Sequence, residues 1–137
     1  MLKHSSLTVM LLVALAASAR GQSPELVQPP PAEYTVTRFE LATPSVDTIQ
    51  GASVSRDFIR ISGVQLLFGR RFIDGDFEST AGPTAIISHD LWQRQFNADP
   101  ALIGKPIRLN GHNAVVVGVM PPEFDFPKGV AVWVPRR

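Results

Sequence analysis

The sequence predicts an α+β domain: a small mixed sheet with two short helices packed on one face, including a C-terminal β-hairpin. Three observations predict it. Ile107-Arg108-Leu109 alternates, Asn110-Gly111 is the preferred pair for a tight hairpin turn, and Ala114 to Val119 supplies a return strand. Two short segments carry residues that start and stop helices. Around them lie apolar runs of strand length, bounded by glycine and proline.

Taken in order, the chain opens with a segment that reads as a secretory signal over residues 1–21. Lys3, with His4, gives a short positive start, and Leu7 to Ala19 is an uninterrupted weakly polar-to-apolar run ended by Arg20. That run falls short of the roughly 20 apolar residues that span a bilayer. Ala17-Ser18-Ala19 and Ala19-Arg20-Gly21 offer two cleavage frames, and the alternative is an uncleaved N-terminal anchor. Residues 22–33 contain Pro24 and Pro29-Pro30-Pro31, which predict a stiff, extended linker. The domain itself is expected over residues 34–137.

Within it, Tyr34 to Leu41 and Val46 to Val54 are strand candidates. A short helix follows: Ser55 is placed to cap it, Asp57 suits its positive end, Phe58 and Ile61 share a face, and Gly63 stops it. Val64 to Phe72 is apolar but broken by Gly69. Gly82-Pro83 turns the chain into the short strand Thr84 to Ile87. Ser88 caps the second helix, in which Trp92 and Phe96 stand four apart toward a core. Asp99-Pro100 restarts a single helical turn that Gly104 closes. After the hairpin, Pro121-Pro122 ends the return strand, and Val130 to Val134 makes the last one. The consecutive Val115-Val116-Val117 predicts a central strand buried on both faces.

Composition narrows the function classes. Of 137 residues 45% are apolar, too many for wholesale disorder. There is no cysteine, hence no disulfide, thiolate metal site, cysteine nucleophile or lipoprotein anchor. Subtracting Lys3 and Arg20 from the 13 basic residues leaves 11 against 12 acidic ones, so the exported part is close to neutral. A nucleic-acid or anionic-membrane surface would need a clustered basic excess, so no nucleic-acid partner is expected. Membrane association is expected only through the N-terminal segment where it stays uncleaved.

No catalytic constellation emerges. His4 leaves with the signal, His89 falls in the first turn of a helix and His112 follows a hairpin turn, which makes a poor metal set. Ser88-His89-Asp90 contains the residue types of a hydrolase triad, yet triad members converge from separate segments, and neighbours at a helix start point apart. Asp74, Asp76 and Glu78 alternate like the start of a calcium loop, but Ser79 and Ala85 stand where glycine and glutamate are required, leaving an acidic solvated loop. Arg70-Arg71 and Arg136-Arg137 read as solvated basic pairs, and Trp92 and Trp133 as core anchors. The expected catalytic, cofactor-binding and metal sets are therefore none, with no cofactor; a small secreted hydrolase is the least supported reading.

Longer patterns carry a resemblance. Ala52-Ser53-Val54-Ser55-Arg56-Asp57-Phe58, Gly63-Val64 and Gly69-Arg70-Arg71-Phe72 form one block, and Ile86 through Phe96, with Ser88, Trp92, Arg94 and Phe96, forms a second. Asp99-Pro100, Ile103-Gly104-Lys105, Ile107 to Gly111, Val116 to Phe124 and Val132-Trp133-Val134-Pro135 continue it. Over roughly residues 50 to 135 the chain resembles the MacB-like periplasmic core domain of ABC transporter permeases with the FtsX-like arrangement.

That resemblance implies an extracytoplasmic part of an export system that transmits force and makes contacts, with no catalytic residues to carry over. It also implies ABC transporter permease or adaptor subunits as partners. Measured against the family, the chain reads as a truncated, stand-alone copy: transmembrane helices and an ATPase are not present, and the second subdomain is reduced to the proline segment and a few β-prone residues. Loss of that subdomain would expose a sheet edge and favour self-association. The expected function is a non-enzymatic interaction module, periplasmic or secreted after signal cleavage, or anchored to the inner membrane. The alternative is a non-functional remnant of a permease gene.

Overall fold

Tyr34–Ala42 (β1) and Val46–Val54 (β2) pair antiparallel without a break, from Tyr34 opposite Val54 to Ala42 opposite Val46. The computed structural model describes residues 26–43 and 45–137. The signal reading over residues 1–21, and residues 22–25 of the linker, lie outside the described residues.

After β2 come the helix Phe58–Ser62 (α1), the two-residue strand Phe68–Gly69 (β3), the strand Thr84–Ile87 (β4) and the helix His89–Phe96 (α2). Pro106–Leu109 (β5) and His112–Val119 (β6) form the expected hairpin, and Val132–Pro135 (β7) ends the fold. At the hairpin turn Asn110 and Gly111 have φ of 52° and 79°, the left-handed pair that a two-residue turn demands. Ser88 accepts from the Leu91 amide at 3.0 Å, so the expected cap is made, and Asp99 caps the following single turn in the same way, accepting from the Ala101 amide at 2.9 Å. Ser55 is different. Its hydroxyl bonds the Glu33 carboxylate, Asp57 takes the position just before α1 without making a side-chain cap, and only the Gly63 stop holds as expected.

The class is α+β with a mixed seven-stranded sheet, in the order β3-β6-β4-β7-β2-β1-β5. β2 runs parallel to β7 and β4 parallel to β6; the other pairings are antiparallel. Because β5 also pairs with β6, six strands form a ring, with β3 attached to the second half of β6. The seam is narrow: β1 and β5 meet at the single pair Leu41 and Leu109. A sheet curled onto itself has an inside that side chains must fill. Leu41, Ile49, Ile87, Leu109, Val116 and Val132, one from each strand of the ring, belong to that inner cluster.

The helices divide between the two faces rather than sharing one. Leu91 and Trp92 of α2 join the inner cluster, whereas Phe58 and Ile59 of α1 join an outer one with Ala52, Val54, Ile86, Phe124 and Trp133. Alternation on β4 makes the division visible: Ala85 and Ile87 point inward and Ile86 outward. The triple valine resolves in the same way. Val115 is exposed, Val116 points inward and Val117 outward by alternation, and a bulge between the Ala85 and Ile86 pairings adds a residue to β6, so that Val119 points inward again.

The described end of the proline segment lies against the body. The Val27 amide donates to the Ser62 carbonyl at 3.0 Å, and Pro29 is buried.

Candidate functional site

The residues singled out for chemistry do not converge. Ser88 Oγ is engaged with the helix start, the His89 ring lies 5.6 Å from that of Trp92, and Asp90 pairs with Arg94 at 2.7 Å along the helix. His112 is exposed beside the hairpin turn. Among the described residues no group of three His, Cys, Asp or Glu is placed to hold a metal ion.

Two motifs expected to be solvated are instead structural ties. Asp76 is buried, and Arg70 grips its carboxylate with two nitrogens at 2.8 and 3.3 Å while the Ile73 amide donates at 2.8 Å. Arg136 reaches the Ala32 carbonyl and Thr35 hydroxyl; Arg137 reaches the carbonyls of Ala81 and Gly82. Runs of charge in a sequence do not reveal such partners, since the acceptors are mostly backbone oxygens far along the chain.

Burial alone would raise the pKa of Asp76. The hydrogen bonds from Arg70 and the Ile73 amide, with the Arg70 charge and the more distant Arg137, outweigh it and hold the carboxyl below its ordinary value. The folded state therefore favours the ionised form, and its stabilisation is present above the ordinary carboxylate pKa and lost as the pH falls through the lowered one. Asp76→Asn is expected to cost about 1 to 3 kcal/mol at neutral pH, the usual range for disturbing a charged, buried hydrogen-bond set. In urea unfolding series, the gap between parent and variant is expected to shrink below about pH 4, where the carboxylate of the unfolded chain protonates. A gap unchanged from neutral pH to strong acid would contradict the assignment.

Among the described residues, one side of β1 is left open. The Glu40 amide donates to Asn110 Oδ1 at 2.8 Å, its carbonyl accepts from the Asn110 amide at 2.9 Å, and the Arg108 amide reaches Thr43 Oγ1 at 3.2 Å. These contacts fasten the seam at the end of the strand. In an antiparallel pair, alternate residues turn their backbone groups to opposite sides. Glu40 faces the seam, so Val36 and Arg38 turn the same way, and the β5–β6 hairpin ends before it reaches them. Thr37, between them, faces β2 opposite Gly51. Val36 is 44% exposed. The edge contains no proline or bulge, two of the devices that blunt a free strand, and its charged side chains are Arg38 and Glu40. Tyr34 fixes its start, with ring centroids 5.9 Å from Phe58 and 5.2 Å from Phe126.

The family described as MacB-like periplasmic core domain matches residues 6–137. Among solved structures, the extracellular domain of the noncanonic ABC-type transporter YknZ from Gram-positive bacteria gives a TM-score of 0.61 at 21% identity, over 75% of this chain and 52% of that one. The periplasmic region of MacB from Actinobacillus actinomycetemcomitans gives 0.61 at 16%, over 75% and 46%. At such identities the likeness is one of fold, and the chain spans about half the length of each solved domain. Comparison with curated proteins gives no match.

Proposed function

This chain belongs to the MacB-like periplasmic core domain family, and from that premise we propose that it works outside the cytoplasm by contact, taking an extended segment of another export-system subunit along β1. The observation that carries the reading is the side of Val36 and Arg38 left unpaired among the described residues, two backbone donors and acceptors on a strand anchored at both ends. Strand addition draws its affinity from such main-chain bonds. The partner class is a permease or adaptor subunit of an ABC-type transporter. Among the described residues no helix is long and apolar enough to cross a membrane.

The test exploits strand parity. Val36→Pro removes a donor that points away from β2 and leaves the β1–β2 ladder intact, whereas Thr37→Pro removes one that points into it. A photo-crosslinker at Arg38, in cells that make the native export machinery, is expected to capture a permease or adaptor subunit. Val36→Pro is expected to abolish capture while circular dichroism stays that of the parent. Capture of a second copy of this chain alone would replace the heterologous partner with self-pairing along the same edge. Capture that survives Val36→Pro would remove the edge from the account, and failure to obtain any folded product would favour the remnant reading.

A further inference from the structure

The two ends of the strand ring differ. Where β4 ends and β7 begins, α2 lays Leu91 and Trp92 over the inner cluster. Where β4 begins at Thr84 and β7 ends at Pro135, an open pocket of about 240 Å³ remains instead. Its apolar wall comes from Phe39, Leu109, Ala114 and Val134, and Leu109 and Ala114 are themselves part of the buried interior. The pocket is thus an extension of the core to the surface, the position where barrels commonly take small ligands.

One polar feature at this mouth points to what fills it. Arg137 stands at the rim, held in place by the Ala81 and Gly82 carbonyls at 2.7 and 2.8 Å. Neutral carbonyls orient the guanidinium without cancelling its charge, and among the described residues no carboxylate lies within ion-pair distance of it. A fixed guanidinium without an ion-pair partner among the described residues suits a carboxylate.

We infer that this mouth binds a short amphipathic carboxylate, its alkyl tail against Leu109, Ala114 and Val134 and its head group at Arg137. At the roughly 30 Å³ that a water occupies in the liquid, the pocket accommodates about eight groups of methylene size. The probe is therefore octanoate. Small ligands of this size gain limited free energy per atom, so affinity near or below the millimolar range is expected.

The experiment is a titration of the full folded chain, labelled with carbon-13 in its methyl groups, with octanoate below its micelle concentration. Saturable shifts confined to Ala114, Val134 and Leu109 are expected. Acetate, which lacks the tail, is expected to cause none, and 1-octanol, which lacks the charge, to bind at least fivefold more weakly. Arg137→Gln is expected to weaken octanoate at least fivefold while leaving 1-octanol unchanged. Val134→Trp, a substitution at a half-buried position, is expected to fill the mouth and abolish both. Absence of saturable shifts, or shifts centred elsewhere on the molecule, would overturn the site; the location of the shifts in the parent decides even where Val134→Trp fails to fold.

Discussion

Gly69→Ala is expected to lower the unfolding midpoint by on the order of 10 °C, a loss of about 3 kcal/mol or more. Gly69 lies in β3 with φ of 81°, a conformation that costs an L residue about 1 to 2 kcal/mol on its own. Space is the larger obstacle. An added Cβ would fall on the carbonyl oxygen of Val117 and come within 2.8 Å of Gly118 Cα, and both are backbone atoms of a central strand. Gly69 and Gly118 stand opposite each other in the β3–β6 pair, so two residues without side chains let the strands touch. Pushing them apart strains the Arg70 amide bond to Val117, 2.8 Å long, and the neighbouring Arg70 grip on Asp76. It also lifts Phe68, whose ring sits 5.2 Å from that of Trp92. Gly75→Ala is the control: an added Cβ there meets nothing within 4 Å, and thermal unfolding is expected to change by less than about 0.5 kcal/mol. Equal effects at the two glycines would mean that β3 does not lie on β6 as described.

The same contrast marks what a sequence discloses. Asn110-Gly111, the Ser88 and Asp99 caps and the Gly63 stop depend on residues within a few positions of each other, so their chemistry is legible locally. The apposition of Gly69 and Gly118 joins positions far apart in the chain, and neither glycine announces its partner. Division of the helices between two faces was hidden for a related reason. Ala85, Ile86 and Ile87 are all apolar, so a four-residue strand buried on both sides gives no sign of which side chain faces which helix. The bulge at Val117 shifts parity inside an apolar run where a shift leaves no polar mark. The open side of β1 was foreseeable only through the family resemblance. Its position, beyond the end of the β5–β6 hairpin, depends on a seam made by Asn110 and Glu40, seventy positions apart.

Trp133→Ala is expected to remove about 3 to 5 kcal/mol, enough to leave much of the chain unfolded near 37 °C. Trp133 is fully buried on β7, with Ala52 of β2 opposite it on one side and Ile86 of β4 on the other. Its indole belongs to the outer cluster with Phe58 of α1, and it lies 5.6 Å from the Phe124 ring in the segment that closes over the sheet. Truncation leaves a cavity between three strands and a helix, and the rigid ladder on both sides limits collapse into it. Trp133 Nε1 also donates to the Phe126 carbonyl at 3.1 Å. Trp133→Phe keeps most of the volume and loses that donor, so a smaller loss of about 1 to 2 kcal/mol is expected. The effect reaches the open edge, because Phe126 packs against Tyr34 at the start of β1. Hydrogen exchange should therefore quicken at Thr35 and Thr37, whose amides face β2, in Trp133→Phe before the inner cluster around Ile87 and Val116 responds. If Trp133→Ala unfolds in urea within about 1 kcal/mol of the parent, or exchange at Thr35 and Thr37 stays at the parent rate in Trp133→Phe, the outer cluster does not hold β1 in place for a partner strand.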